Sequence, residues 1–233
     1  MKKQWMVWLT AFVLAVVAAT GVFMALQPSA VLAEGRGGRG GTSTAVVNGT
    51  ALTQAESDGL LYMREEEKLA HDVYLALYAQ WGDTTFSNIA NSEAKHMDSV
   101  LNLLETYGLQ DPAAGKAAGE FTNADLQALY DTLVAQGSSS LAEALRVGAA
   151  IEEIDILDLR THLAETTYSD IRQVYTNLMN ASGNHLRAFA SQIALQTGED
   201  YVPQYLSAED YAEILSGTAT GQTQGRGGSR RGR

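Results

Sequence analysis

Between residues 51 and 217, apolar residues recur at steps of three and four. That spacing puts them on one face of an α-helix. The first such segment runs from about Gln54 to Gln80, with Leu60, Met63, Glu67, Ala70, Tyr74 and Leu77 on its inner stripe. The second runs from about Thr85 to Tyr107, with Ile89, Glu93, His96, Val100, Leu103 and Tyr107, and Gly108 stops it. Asp111-Pro112 and several glycines then predict a loop, followed by a shorter helix capped by Thr122 and ended by Gly137. Its apolar face is Leu126, Leu129, Tyr130 and Leu133. Ser140-Leu141-Ala142-Glu143 reads as a capping box opening a third long segment, to about Ala164. Leu145, Ala149, Glu152, Asp155 or Ile156, Leu159 and His162 or Leu163 line it. A fourth runs from Asp170 to about Gln196, with Ile171, Tyr175, Leu178, Ser182, His185 and Phe189 inward and Gly198 as its stop. A last short helix begins near Ser207. Sustained apolar–polar alternation occurs nowhere, so no sheet is expected. The fold class predicted is all-α: a four-helix bundle with short accessory helices, spanning residues 51–217.

The polar residues on these stripes change the picture. Glu93 and His96 stand three apart, so one helix face presents both. Glu67 shares its face with Leu60 and Tyr74. Glu65 does not, and Glu66, which lies beside the stripe, is a secondary candidate. Glu152 follows Leu145 by seven and precedes Leu159 by seven. Its neighbour Glu153 falls in phase with Arg146 and Arg160, which predicts a solvated ion-pair position. His71 borders a stripe and His162 lies about two turns past Asp155. Both are read as hydrogen-bonded polar residues rather than ligands.

Glu67, Glu93, Glu152 and Asp155 would thus enter one core, with no Lys or Arg on the stripes to pair with them. Burying an uncompensated charge costs several kcal/mol, and several like charges need a counter-ion. A pair of divalent cations, held also by His96 and His185, would neutralise the cluster. Carboxylate with imidazole suits iron or manganese. The competing reading is a hydrogen-bonded polar core without metal.

Charge distribution supports cations as partners. The chain carries 27 acids and 16 bases, a net charge of −11. All the acids except Glu34, but only half of the bases, lie between Ala51 and Gly217. An acidic domain disfavours nucleic acid. Absence of cysteine excludes disulfides, thiolate metal sites, iron–sulfur clusters and thiol catalysis. Residues 1–33 read as a signal peptide: Lys2 and Lys3, an apolar run from Trp5 to Leu26, then Val31-Leu32-Ala33 before Glu34. The run is long enough to serve instead as an uncleaved membrane anchor. Both readings place the domain outside the cytoplasmic membrane: extracellular, periplasmic or at the cell surface. Gly/Arg-rich stretches at 34–50 and 218–233 predict a flexible linker and tail that solubilise the protein or touch anionic lipid or cell-wall polymer.

At the polar positions the chain resembles the ferritin-like superfamily, and within it the rubrerythrin-type di-iron proteins. Glu67-Lys68-Leu69-Ala70 followed by Tyr74 is similar to their first metal helix. Ile89-Ala90 before Glu93-Ala94-Lys95-His96 is similar to the second, and Glu152-Glu153-Ile154-Asp155 to the third. With Asn184-His185-Leu186-Arg187-Ala188-Phe189, the pattern resembles an exported branch, the domain of unknown function 2202 family. The resemblance covers about Leu52 to Leu195. It implies two iron ions, or manganese, with Glu67, Glu93, Glu152 and Asp155 as oxygen ligands and His96 and His185 as nitrogen ligands. It also implies oxidase, ferroxidase or peroxide-reducing chemistry with dioxygen or peroxide. Tyr74 and Tyr107 would be electron donors, hydrogen bonders or core packing, the last preferred. The chain departs from the pattern once. The fourth helix should read Glu-x-x-His and here reads Ser182-Gly183-Asn184-His185. Asp155 is expected to supply the missing charge. Otherwise one metal position is weakened, and a non-catalytic iron-binding or structural domain becomes the better account. No catalytic residue or oligomeric state is singled out.

Overall fold

The structure, a computed structural model, describes residues 52–217. The expected export signal or anchor, the Gly/Arg-rich linker and the basic tail lie outside the described residues. Six helices are present among those described: α1 (Gln54–Trp81), α2 (Thr84–Thr106), α3 (Ala124–Gly137), α4 (Leu141–Glu165), α5 (Ser169–Thr197) and α6 (Ala208–Ser216). No strand occurs among the described residues, and no helix there is long and apolar enough to cross a membrane.

Local chemistry accounts for the boundaries. Thr53 opens α1 with a complete capping box, its hydroxyl accepting from Glu56 N–H while the Glu56 carboxylate accepts from Thr53 N–H. Gly82 closes α1 at φ 70°, a left-handed conformation that costs glycine little. Asp83 caps α2, and Ser140 caps α4 by accepting from Glu143 N–H. One expected cap is off by a residue. Asn123, not Thr122, caps α3, because its shorter reach to Asp125 N–H and Leu126 N–H closes the first turn. The Thr122 hydroxyl instead donates to the Pro112 carbonyl.

Topology follows from which ends meet. α1 and α2 form one hairpin and α4 and α5 another, each with a short connection. α1 also packs on α4, and α2 on α5. At the end of α1, Gln80 and Trp81 donate to the carbonyls of Ser138 and Gly137, just before α4 begins. At the opposite end, the Tyr107 hydroxyl after α2 donates to Asp170 at the start of α5. Neighbouring long helices are therefore antiparallel, and the α2–α4 connection crosses the length of the bundle. α3 sits in that crossover and packs on α1 and α4, while α6 packs on α5.

The interior is divided. One apolar cluster includes Val73, Tyr74, Leu77, Phe86, Ala149, Leu186 and Phe189. A second, toward the other end, is built from Leu60, Met63, Val100, Leu104, Leu159, Tyr175 and Leu178. On every long helix the residues between the two clusters are polar: Glu66 and Glu67, Glu93 and His96, Glu152 and Asp155, Ser182 and His185. A polar slab thus crosses the bundle where apolar packing would otherwise be continuous.

The reading of Glu153 needs correction. It is fully buried, not solvated. Its carboxylate accepts from the Tyr201 hydroxyl and from the backbone N–H groups of Gln204, Tyr205 and Leu206. The segment before α6 folds over the outer face of α4 and uses Glu153 as its anchor. Arg146 pairs with Glu143 instead, and Arg160 with Asp210. The acidic run on α1 is likewise buried throughout.

Candidate metal centre

The slab brings together five of the six residues expected from the sequence, Asp155 being the exception. Two groups of ligand-type atoms each lie within 4.8 Å of one another: Glu67, Glu93 and His96, and Glu93, Glu152 and His185. Glu93 belongs to both. Its Oε2 is 2.6 Å from His96 Nδ1, which is 3.2 Å from Glu67 Oε2. Its Oε1 is 2.8 Å from His185 Nδ1, which is 3.4 Å from Glu152 Oε2. The two imidazoles stack with centroids 5.7 Å apart. The i, i+3 spacing on α2 and the facing positions on α1, α4 and α5 produce this convergence.

Asp155 belongs to neither group and contacts Ser182, whose hydroxyl also lies 2.9 Å from the Leu178 carbonyl. A hydroxyl has one proton to give. That of Ser182 is placed to donate to Asp155 Oδ2, with the Leu178 carbonyl as the competing acceptor. Asp155 thus meets the fourth helix where the expected glutamate is missing.

Several of these atoms have no hydrogen-bond partner. Glu67 Oε1, Glu93 Oε1, Asp155 Oδ1 and His185 Nδ1 are buried and unsatisfied, one from each long helix. Glu93 Oε1 and His185 Nδ1 are 2.8 Å apart and offset each other as an ion pair, so the oxygens with no partner of either kind are Glu67 Oε1 and Asp155 Oδ1. Native interiors rarely leave such groups orphaned, because each costs roughly 1–3 kcal/mol. Their convergence is the chemistry of a donor set for a hard or borderline cation.

Protonation preferences show how crowded the charge is. Burial opposes ionisation of Glu93, but His185 and His96 hold its carboxyl down to about 2. Burial also opposes charge on the rings, yet Glu67 and Glu93 push His96 up to about 11. Against the same burial, Glu152 and Glu93 push His185 up to about 10. Burial, and then the Glu152 charge, push Asp155 up to about 8. Burial, with Asp155 beside it, drives Glu67 well above the usual carboxylate range, and burial also raises Glu152. Only the central carboxylate is held ionised by protein cations, and the outer ones repel one another.

Around this set, the Tyr74 hydroxyl donates to Glu152 Oε1 at 2.5 Å and lies 3.3 Å from the Gly148 carbonyl. Tyr74 packs against Phe86 and Phe189. A Cβ at Gly148 would meet the Phe189 ring at 2.5 Å, so glycine lets α5 approach α4 here. The expectation of packing for Tyr74 therefore misses its bond to Glu152. Its place seven residues after Glu67 was the available signal. Tyr107 lies at the bundle end on Asp170, away from the slab. His71 binds Asp72 and His162 binds Glu165, so neither joins the set. Glu66 was the residue underweighted: it is buried, and its Oε2 is unsatisfied.

Comparison with known proteins places the chain. Residues 56–218 match the family described as an uncharacterized protein domain, DUF2202, and the chain belongs to that family. It is 48% identical over 165 residues to the uncharacterized protein MJ0754 of Methanocaldococcus jannaschii, covering 71% of this chain and 89% of that protein. It is also similar to the crystal structure of hypothetical protein MJ0754 from Methanococcus jannaschii, with a TM-score of 0.70 and 46% identity. That match covers 74% of this chain and 98% of the solved one.

Proposed function

We propose that this chain is an exported, ferritin-like metal protein whose polar slab holds a pair of iron or manganese ions and supports oxidase chemistry. The observation that carries the reading is the two buried triads that share Glu93, with an unsatisfied buried oxygen on Glu67 within one of them and another on Asp155 outside both. The single long crossover is the connectivity of ferritin-like bundles, which supports the assignment beyond sequence resemblance. Glu67, Glu93, Glu152 and Asp155 would be the oxygen ligands, and His96 and His185 the nitrogen ligands.

Bound iron would supply electron transfer toward dioxygen or peroxide. The protein's own groups do the rest. Glu93 spans the two triads. Glu67 and His96 close one side, Glu152 and His185 the other. Tyr74 holds Glu152 in one orientation, as outer partners of ligands do. Asp155, tied to Ser182, brings a carboxylate to the side of α5 that lacks one. The apolar clusters above and below keep bulk water from the slab.

Metal analysis of the full chain, purified and supplied with ferrous iron or manganese, tests binding. The expected result is retained metal that Glu93→Ala and His96→Ala each lose. Chain with no more metal than Glu93→Ala would end the reading. Ferrous oxidation measured on the same samples tests catalysis. Ser182 in place of a fourth-helix carboxylate favours a second reading, metal held without turnover. Wild-type protein that retains iron but oxidises it no faster than Glu93→Ala would establish that second reading. Ser182→Glu is then expected to raise iron affinity.

A further inference from the structure

Two polar pairs join α4 to α5 in the same register. Glu152 stands opposite His185, its Oε2 3.4 Å from Nδ1. About one helical turn further along, three residues on in α4 and three back in α5, Asp155 stands opposite Ser182. Glu152 and His185 belong to a triad, whereas Asp155 belongs to none. The second pair is nonetheless buried, Asp155 at 6% exposure and Ser182 at 1%.

The two oxygens of Asp155 differ. Oδ2 accepts from the Ser182 hydroxyl, and Oδ1 has no partner. Ser182 has a second acceptor in reach, the Leu178 carbonyl at 2.9 Å, one turn back on its own helix. A helical serine readily uses that i−4 carbonyl. If Asp155 left, the hydroxyl would turn to Leu178, and no buried donor would be orphaned. Departure of Asp155 therefore breaks one hydrogen bond and leaves nothing else unpaired. A pair with two such arrangements is a switching element.

We infer that Ser182 is a latch: it holds Asp155 outside the triads in the metal-free fold and releases it to join them when a divalent cation enters. The latch rests on the proposed metal centre and concerns how one ligand of that centre is engaged. Without a cation, an inward Asp155 would add a fourth carboxylate to Glu67, Glu93 and Glu152, and like charges so close repel. A cation reverses that preference, and Asp155 exchanges its serine bond for a bond to the ion. Binding must then break the Asp155–Ser182 contact, so the latch lowers affinity. Ser182 acts through Asp155 and is a positioning residue.

The test is equilibrium titration of the full chain, stripped of metal, with cobalt(II), followed by visible absorbance. Ser182→Ala removes the latch from the metal-free fold alone. It is expected to raise cobalt affinity about tenfold, with stoichiometry and bound-state spectrum unchanged. Ser182→Thr keeps a hydroxyl and is expected to bind as wild type does. Asp155→Ala is expected to bind more weakly, and adding Ser182→Ala to it should change nothing further. Weaker binding in Ser182→Ala overturns the latch, because Ser182 would then support Asp155 in the bound state. Unchanged affinity overturns it as well, because Asp155 would not leave Ser182. A gain that persists alongside Asp155→Ala overturns it by showing that Ser182 does not act through Asp155. Each of those results leaves the centre standing. Wild-type chain that takes up no cobalt overturns the centre and the latch together.

Discussion

Glu152 and Glu153 are adjacent on α4, and both are buried, at 2% and 0% exposure. Their surroundings are opposite. Glu153 gathers a phenol and three backbone N–H groups, so its charge is fully solvated by the protein. Glu152 faces two other carboxyl-bearing helices, one imidazole and the Tyr74 hydroxyl. The acidic run on α1 repeats the contrast. Glu65 accepts from the N–H groups of Thr122 and Asn123 in the crossover, while Glu67 and Glu66 each keep an unsatisfied oxygen. A buried carboxylate surrounded by donors ties the fold together. One surrounded by other acceptors needs a cation from outside.

The largest expected effect is at Glu153. Replacing it with alanine leaves its donors buried and unpaired, and should cost about 3–5 kcal/mol in denaturant unfolding. Metal retention measured below the transition should not change. A loss of metal with little loss of stability would reverse the assignment of the two neighbours.

The next effect separates the classes by pH. Asp155, raised from 3.8 to about 8, stabilises the metal-free fold fully below 3.8, and that contribution is lost as pH rises through 8. His96 and His185, raised from 6.5 to about 11 and 10, stabilise it below 6.5 and lose that contribution as pH rises toward those values. Glu93, lowered from 4.5 to about 2, acts in the other sense: its contribution is present above 4.5 and lost as pH falls through 2. Metal-free protein should therefore unfold at lower temperature at pH 9 than at pH 6.5. Metal-loaded protein should show the decline removed, since a cation replaces the protons. Parallel curves for the two forms would mean that the slab titrates without reference to metal.

The smallest effect sharpens the contrast further. Glu67→Gln keeps shape and removes a charge the metal-free fold disfavours. It should shift metal-free stability by no more than about 1 kcal/mol while metal retention falls. A cost like that of Glu153→Ala would mark Glu67 as one more structural acceptor.

The long helices were legible because each carries one apolar stripe with a distinct cap or stop. Gly82, Gly108 and Gly198 all take left-handed conformations near the helix ends. Glu67, Glu93, His96, Glu152, Asp155 and His185 were legible because they stay in phase with those stripes. Glu65 and Glu153 were not, and Glu66 was legible only as a secondary candidate beside the stripe. Phase finds the face turned to the bundle axis, but α1 and α4 are covered on more than that face, by the crossover and by the segment before α6. Polar residues under such covers pair with backbone groups contributed by distant, irregular segments. On a helical wheel they look the same as a solvated face.

The crossover grips α1 through a line of residues. Arg64 makes a two-pronged bond to Asp111, Lys68 binds Asp72 and the Ala117 carbonyl, and Asp72 accepts from Gly119 N–H. Lys68 also lies over the Phe121 ring. With Glu65 these contacts fix the azimuth of the helix, and one residue of drift is a rotation of about 100°. Such a turn would exchange Glu67 for Glu66 at the triads. The strap on the outside of the bundle is thus the indexing device that decides which of three consecutive glutamates faces the centre.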